Sequence, residues 1–309
     1  MISKNTSINR LAKLFGYSRS SYYHYKYYVP KENDRKVKII KAMLDIYDRS
    51  YGTYGSPRIT CALREEGYVV ARKTIHNYMK ELNICSIVHK KFRYKRTCFK
   101  DHEYLRLKNV AKDTNVYDVD QVWTQDVTYI KLSDGTNAYL ASVMDYYSRK
   151  VIAYELSKNM TTDLILRVLH KAYMERKPHR GLILHSDKGA QYRSDRYKDF
   201  AYHHKAVCSY TRIVFSCADN ASQESFHASL KKECLYQRKP QSFEETKALI
   251  FRYIEGFYNP RRLHSKLGFK SPDTFERDLK LKKITSIESA NENDTENIID
   301  ITNETKIED

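Results

Sequence analysis

The sequence predicts an α/β fold: a three-strand meander, a helix, a strand, a helix and a strand, preceded by small helical units. Three observations carry this. From Val122 to Leu156 the apolar pattern suits strands, broken by the turn Ser133-Asp134-Gly135. Before and after that stretch the apolar residues recur with the period of amphipathic helices. Between the helical half and the strand-bearing half lies a basic run, residues 89–115.

The elements follow in order. Residues 1–30 read as helix, turn, helix: Leu11, Ala12, Leu14 and Phe15 form an apolar face, Gly16 breaks it, and Ser18 caps a second helix through Tyr25. Residues 31–88 read as a second helical, DNA-binding module. Lys36 to Tyr47 is periodic, Tyr51 to Gly55 turns, and Pro57 opens a helix that Gly67 ends. Thr74 to Leu82 supplies another, with Arg72 and Lys73 at its start, where they could meet phosphates. A solvated basic bundle is the plainer alternative. In the linker, Lys90, Lys91 and Arg93 interleave with Phe92 and Tyr94, a pattern that can track a nucleic-acid backbone and stack on bases.

Residues 116–280 then hold the α/β core. Val122 to Leu132, Ala138 to Tyr147 and Lys150 to Leu156 are strands, and Thr162 to Arg176 is a helix. Gly181 to Ser186 is a short buried strand, Arg196 to His204 a helix, and Val207 to Tyr210 a fifth strand. This order describes the ribonuclease-H-like layout. A last helix opens with the capping box Ser242-Phe243-Glu244-Glu245. Residues 281–309 are expected to be an acidic, disordered tail.

Composition narrows the function classes. Of 309 residues, 41% are hydrophobic and 30% charged, and the mean hydropathy is −0.70. No run approaches the roughly 20 apolar residues of a membrane span, and Met1 to Arg10 lacks the apolar stretch of a secretion signal. A cytoplasmic, nucleoid-associated protein is expected, with no membrane partner. The net charge is +17; residues 287–309 hold eight acids and one lysine, which leaves +24 on the remainder. Such a body attracts polyanions, nucleic acid above all. The six cysteines lie far apart, as reduced thiols do. His203, His204, Cys208 and Cys217 match no zinc spacing.

Three carboxylates stand out. Asp126 sits among β-formers in Trp123-Thr-Gln-Asp126-Val-Thr-Tyr129, against local propensity. Asp187 lies just past a strand end, beside Gly189, where ligand sites of open α/β sheets collect. Glu224 falls in the first turns of a helix starting near Asp219 or Asn220, residues that helix capping explains. Lys231, seven positions on, shares its face and could reach a phosphate. If the fold gathers the three acids, oxygen-only ligation suits two Mg²⁺ or Mn²⁺ ions that activate a water or 3′-OH for in-line displacement. Singly, each acid is more often a cap or a surface charge; three ordered motifs lift the set. His185 reads as orienting the loop, and Asp145 as serving packing or a turn.

These stretches resemble the integrase-type transposases of bacterial insertion sequences, in particular the second-frame product of the IS-three family. The matching motifs are Trp123-x-x-Asp126-x-Thr-Tyr129, Met144-Asp145-x-x-Ser148-Arg149, His185-Ser-Asp187-x-Gly-x-Gln-Tyr192, Asp219-Asn-Ala-x-x-Glu224-Ser-Phe226, Leu230-Lys231-x-Glu233 and Tyr258-Asn-x-x-Arg262-x-His264. Tyr54-Gly-Ser-Pro-Arg58-Ile-Thr60 resembles the helical module ahead of that core.

The resemblance implies a retroviral-integrase-like core with Asp126, Asp187 and Glu224 as catalytic and metal-binding residues. It also implies metal-dependent cleavage and strand transfer by a homo-multimer on terminal inverted repeats and target DNA. Lys231, Arg58, Arg72, Lys73, Lys90, Lys91, Arg93 and Arg262 are the expected DNA contacts. An upstream-frame helix-turn-helix product, as partner or fusion, is implied too. The chain departs from the pattern in the loop 210–218, which lacks a glycine and lengthens the Asp187–Glu224 spacing by one, and at His227, which replaces a customary aromatic. A catalytically weakened DNA-binding relative and a nuclease that cuts without joining are the other readings.

Overall fold

The computed structural model describes residues 8–27, 34–88, 108–211, 220–238, 240 and 242–286. Two short helices open it, α1 (Ile8–Leu14) and α2 (Arg19–Tyr27). Gly16 turns between them at φ +71°, and Ser18 Oγ accepts the Ser21 N–H at 3.0 Å, the cap read from sequence. Three longer helices follow: α3 (Asp34–Arg49), α4 (Ser56–Glu65) and α5 (Arg72–Glu81). Ile39, Met43, Ile46, Ile59, Leu63, Ile75 and Met79 are buried among them, recurring at helical spacing.

After a single turn, α6 (Val110–Asp113), the sheet begins. Strands β1 (Val122–Lys131), β2 (Asn137–Asp145) and β3 (Val151–Ser157) form the antiparallel meander. Helix α7 (Thr162–Arg176), capped by Thr161, leads to β4 (Ile183–Ser186). Two helices, α8 (Ala190–Arg193) and α9 (Asp195–His203), precede β5 (Val207–Tyr210). The strand order is β3-β2-β1-β4-β5, with β4 parallel to both β1 and β5. That is the ribonuclease-H-like arrangement predicted from sequence. The small α8 is the one element of this stretch that periodicity did not reveal; four residues carry no period.

The remaining helices are α10 (Ala221–Leu230), α11 (Tyr236–Arg238), α12 (Phe243–Tyr253) and α13 (272–286). Ser242 caps α12 by accepting the Glu245 N–H. Wide π-helical turns follow α10 (Lys231–Leu235) and α12 (Ile254–Tyr258). Helix α13 corrects the tail boundary: residues 281–286 continue a helix and carry lysines, not acids. Residues 287–309 lie outside those described. Among the described residues no helix is long and apolar enough to cross a membrane.

Two cores sandwich the sheet. Leu140 and Met144 of β2 face one way, Ala141 and Val143 the other, as the strand's period of two requires. On one side α7 and α9 cover Trp123, Ala141, Val143 and Leu184. On the other, α10 and α12 bring Phe226, Leu230, Leu249, Ile250 and Phe257, and the apolar faces of α3–α5 join this same core. Tyr54 clamps the junction: its Oη donates to Arg261 O at 2.9 Å and accepts the Leu263 N–H at 2.9 Å. The helical module is thus built onto the α/β core rather than standing apart from it.

Candidate active site

Asp126 is positioned by the pleat of β1. Thr124, Asp126 and Thr128 project toward α10, while Gln125 projects the other way and donates to Tyr197 Oη at 2.9 Å. Thr124 accepts the Ser222 hydroxyl at 3.3 Å, and Lys231 Nζ donates to Thr128 Oγ1 at 2.7 Å, both from the α10 side. Asp126 Oδ1 accepts the N–H of Val127 at 2.9 Å.

Asp187 is brought toward it by the parallel ladder of β1 and β4. Thr124 pairs with His185, and two residues further along each chain stand Asp126 and Asp187. Asp187 lies just past the end of β4, near enough to Asp126 for the two charges to interact. Gly189 N–H donates to Asp187 Oδ1 at 3.0 Å, and a Cβ at position 189 would lie 3.0 Å from that oxygen. Glycine is needed for this close approach and not for an unusual backbone angle, since its φ is −55°. Burial raises the Asp187 carboxyl above its ordinary pKa; the Gly189 hydrogen bond opposes this and the charge of Asp126 adds to it. His185, below it, is buried with Nδ1 2.9 Å from Ser209 Oγ.

Glu224 occupies the first turn of α10, with its N–H donated to Asn220 O at 3.1 Å. Its carboxyl is also raised, by burial first and by Asp126 second, with His227 opposing. Asp187 and Glu224 thus each feel the charge of Asp126. Among the described residues, however, no group of three His, Cys, Asp or Glu side chains is gathered so that it could hold a metal ion. The donor set itself, carboxylate oxygens without a thiolate, fits hard divalent cations such as Mg²⁺ or Mn²⁺.

Asn220 overturns an expectation. Its side chain makes no cap hydrogen bond; Nδ2 instead donates to Gln125 O at 3.2 Å, tying the start of α10 to β1. Gln223 reinforces the tie, donating from Nε2 to Thr124 O at 2.7 Å. His227 Nδ1 stands 3.3 Å from Asp126 Oδ2. Sequence reasoning noted His227 only as a departure, although its i,i+3 spacing from Glu224 put it on the same helical face.

The basic residues divide. Arg72 and Lys73 are exposed in the first turn of α5, open to a polyanion. Lys231 lies over the Tyr129 ring at 5.0 Å; burial lowers its ammonium pKa, and Asp126 works against that. Arg58 is half-buried, donating from Nε to Leu263 O at 3.0 Å. Arg262 is 6% exposed and paired with Glu233 at 2.7 Å. Arg58 and Arg262 therefore make contacts at the junction between the helical module and the core, Arg262 almost wholly enclosed and Arg58 with part of its surface exposed. Lys90, Lys91 and Arg93 lie outside the described residues.

Asp145 is fully buried and accepts three backbone N–H groups, from Asp120, Tyr147 and Ser148. It organises the β2–β3 turn, as read from sequence. Cys61, Cys85, Cys208 and Cys234 are free thiols.

A five-strand sheet of this order, with one aspartate on its central strand and another just past the end of the neighbouring one, is the arrangement of an integrase-type core. Family comparison agrees: Integrase core domain descriptions match residues 117–214 and 224–279, and an HTH-like domain matches 33–92. The chain is 34% identical over 269 residues to the insertion element IS600 uncharacterized 31 kDa protein of Shigella sonnei, covering 86% of this chain and 97% of that one. It is 35% identical over 235 residues to transposase InsF for insertion sequence IS3A of Escherichia coli strain K12, covering 76% and 80%. Among solved structures, the HTLV-2 integrase catalytic core domain in complex with magnesium aligns at TM-score 0.40 and 15% identity, covering 51% of this chain and 96% of that one. The chain belongs to the IS3 family of insertion-sequence transposases.

Proposed function

We propose that this DNA transposase cuts and joins phosphodiester bonds at the ends of an insertion sequence, with Asp126, Asp187 and Glu224 as its catalytic, metal-binding carboxylates. The observation that supports the reading is that Asp187, just past the end of β4, and Glu224, on α10, both lie close enough to Asp126 on the neighbouring β1 for its charge to raise their carboxyl pKa values. Two Mg²⁺ or Mn²⁺ ions, when bound, supply Lewis-acid activation of the attacking water or 3′-OH and stabilise the leaving oxygen.

The chain's own residues hold and orient. Val127 and Gly189 backbone N–H groups fix one oxygen each of Asp126 and Asp187, leaving the other oxygens for ligation. Thr128 and the Tyr129 ring hold Lys231 as a cation beside the acids, where a scissile phosphate would sit. Arg72 and Lys73 offer a second, exposed phosphate contact on α5. Terminal inverted repeats and target DNA are the substrates, and a homo-multimer holds them together. An upstream-frame helix-turn-helix product adds end recognition, as partner or fusion.

The test is strand cleavage and transfer on DNA carrying the element's ends, with Mg²⁺ or Mn²⁺. Asp187→Asn should abolish both products while DNA binding persists. Equal joining by that variant and the parent would remove Asp187 from the reaction.

A further inference from the structure

We propose that Arg58 and Arg149 together grip one backbone phosphate of DNA, at the seam where the helical module meets the β2–β3 turn. The site uses none of the three carboxylates, so it stands or falls separately from their catalytic reading.

Three segments singled out in the sequence meet at this seam, and hydrogen bonds fix how. Asn259 Nδ2 donates to Val151 O, and its Oδ1 accepts the Val151 N–H, each at 3.0 Å. That holds the 258–264 loop against the start of β3, two residues past Arg149. From the other side α4 brings Arg58, whose Nε donates to Leu263 O at 3.0 Å. His264 sits among them, its ring edge-on to Tyr258 at 5.0 Å and its Nε2 3.5 Å from Arg262 Nη1. Burial first, then the charges of Arg262, Arg58 and Arg149, hold the His264 pKa down to about 2. Burial raises the Tyr258 hydroxyl, and the same three guanidinium groups oppose that rise. Three cations thus converge on one loop.

Their charges are not balanced. Glu233 has both oxygens taken, by Arg262 and by Tyr253. Among the described residues no carboxylate pairs with Arg58 or Arg149. Burial lowers the Arg58 pKa, Arg262 adds to this, and Glu233 opposes it. A half-buried charge without an ion partner is costly to keep. Both guanidinium groups keep part of their surface exposed. Arg58 spends only Nε on the protein, and Arg149 lies over the Tyr146 ring at 4.5 Å, a face contact that leaves its N–H edge open. Planar forks of this kind match a phosphate oxygen pair. The turn itself does not ask for arginine: Arg149 takes φ +61°, where glycine fits without cost.

The test is duplex-DNA binding by the full chain without divalent metal, read by fluorescence anisotropy across a salt series. Arg149→Gly removes one prong and relaxes the backbone, and Arg149→Asn, which also tolerates that conformation, serves as its second form. Both should keep the parent's melting temperature and flatten the slope of log affinity against log salt by about 0.9, the share of one phosphate. Adding Arg58→Gln should flatten it little further, because both prongs hold the same phosphate. An unchanged slope in a folded Arg149 variant overturns the proposal. So does a further fall of about 0.9 in the double variant, which would place the two arginines on separate phosphates. Calorimetric titration with inorganic phosphate checks the other source of this anion. Phosphate binding that Arg149→Gly loses while its DNA slope stays put would make this a free-anion site and overturn the DNA contact.

Discussion

Arg262 and Glu233 form a buried two-pronged ion pair: Nη2 donates to Oε1 at 2.7 Å and Nε to Oε2 at 2.9 Å. Tyr253 Oη adds a third donor to the carboxylate at 2.7 Å, and Ser229 Oγ accepts from Nη2 at 3.0 Å. The pair joins the π-turn after α10 to the loop after α12, beneath the helical module. Removing one partner strands the other charge in the core. Arg262→Ala or Glu233→Ala should destabilise the fold by about 3–5 kcal/mol. Urea denaturation checks this; an unmoved midpoint in Arg262→Ala would show that the pair holds nothing together.

Arg72 and Lys73 should act on DNA through charge alone. Neutralising two phosphate contacts lowers the slope of log affinity against log salt by about 0.9 each. Arg72→Gln combined with Lys73→Gln should flatten that slope by about 1.8 and weaken binding to all sequences alike. Anisotropy titrations at several salt concentrations measure it. An unchanged slope places both residues off the DNA.

Gly189→Ala should impair catalysis with little loss of stability. The added Cβ meets Asp187 Oδ1 at 3.0 Å, while the backbone angle of φ −55° suits any residue. The carboxylate must shift, and misplacing a reacting geometry by a fraction of an ångström is costly. Strand transfer at the parent's level, at an equal melting temperature, would refute the positioning role of this glycine.

Asp145 gives a pH signature. Burial pushes its carboxyl up from 3.8 to about 6, with the Ser148 and Asp120 N–H groups opposing. Between those values the folded chain keeps a proton that the unfolded chain releases. Its contribution therefore falls as pH rises from about 4 to about 6, then stays level. The size is about 1.4 kcal/mol per pH unit of separation. Urea midpoints of parent and Asp145→Asn from pH 4 to 8 should show the parent weakening relative to the variant through that window, and a constant difference above it. Profiles that run parallel throughout would contradict the assignment.

Much of the fold was legible because its signals are local. The period-two run of β1 to β3, the Thr161-capped α7 and the capping box at Ser242 depend on neighbours in sequence, and each element formed where its pattern stood. Asp126 was conspicuous because an acid in mid-strand opposes its surroundings. Asn220 misled because a local rule, capping, competed with a distant partner, Gln125 O, that no spacing reveals. The internal partners of Arg58 and Arg262 were hidden for the same reason: the Leu263 carbonyl and the Glu233 carboxylate beside them are set by packing between distant segments.

The amino-acid sequence by itself determined the run of strands and helices and the family, and singled out three acids as candidates. Tertiary structure alone decided which side chains meet: Asp187 brought near Asp126 by the pairing of β1 with β4, His227 turned onto Asp126 beside Gln223 and Ser142, and the α3–α5 module merged into the core beneath α12. Periodicity is a property of a few consecutive residues, whereas hydrogen-bond partners and buried ion pairs are chosen by packing between segments up to about two hundred positions apart.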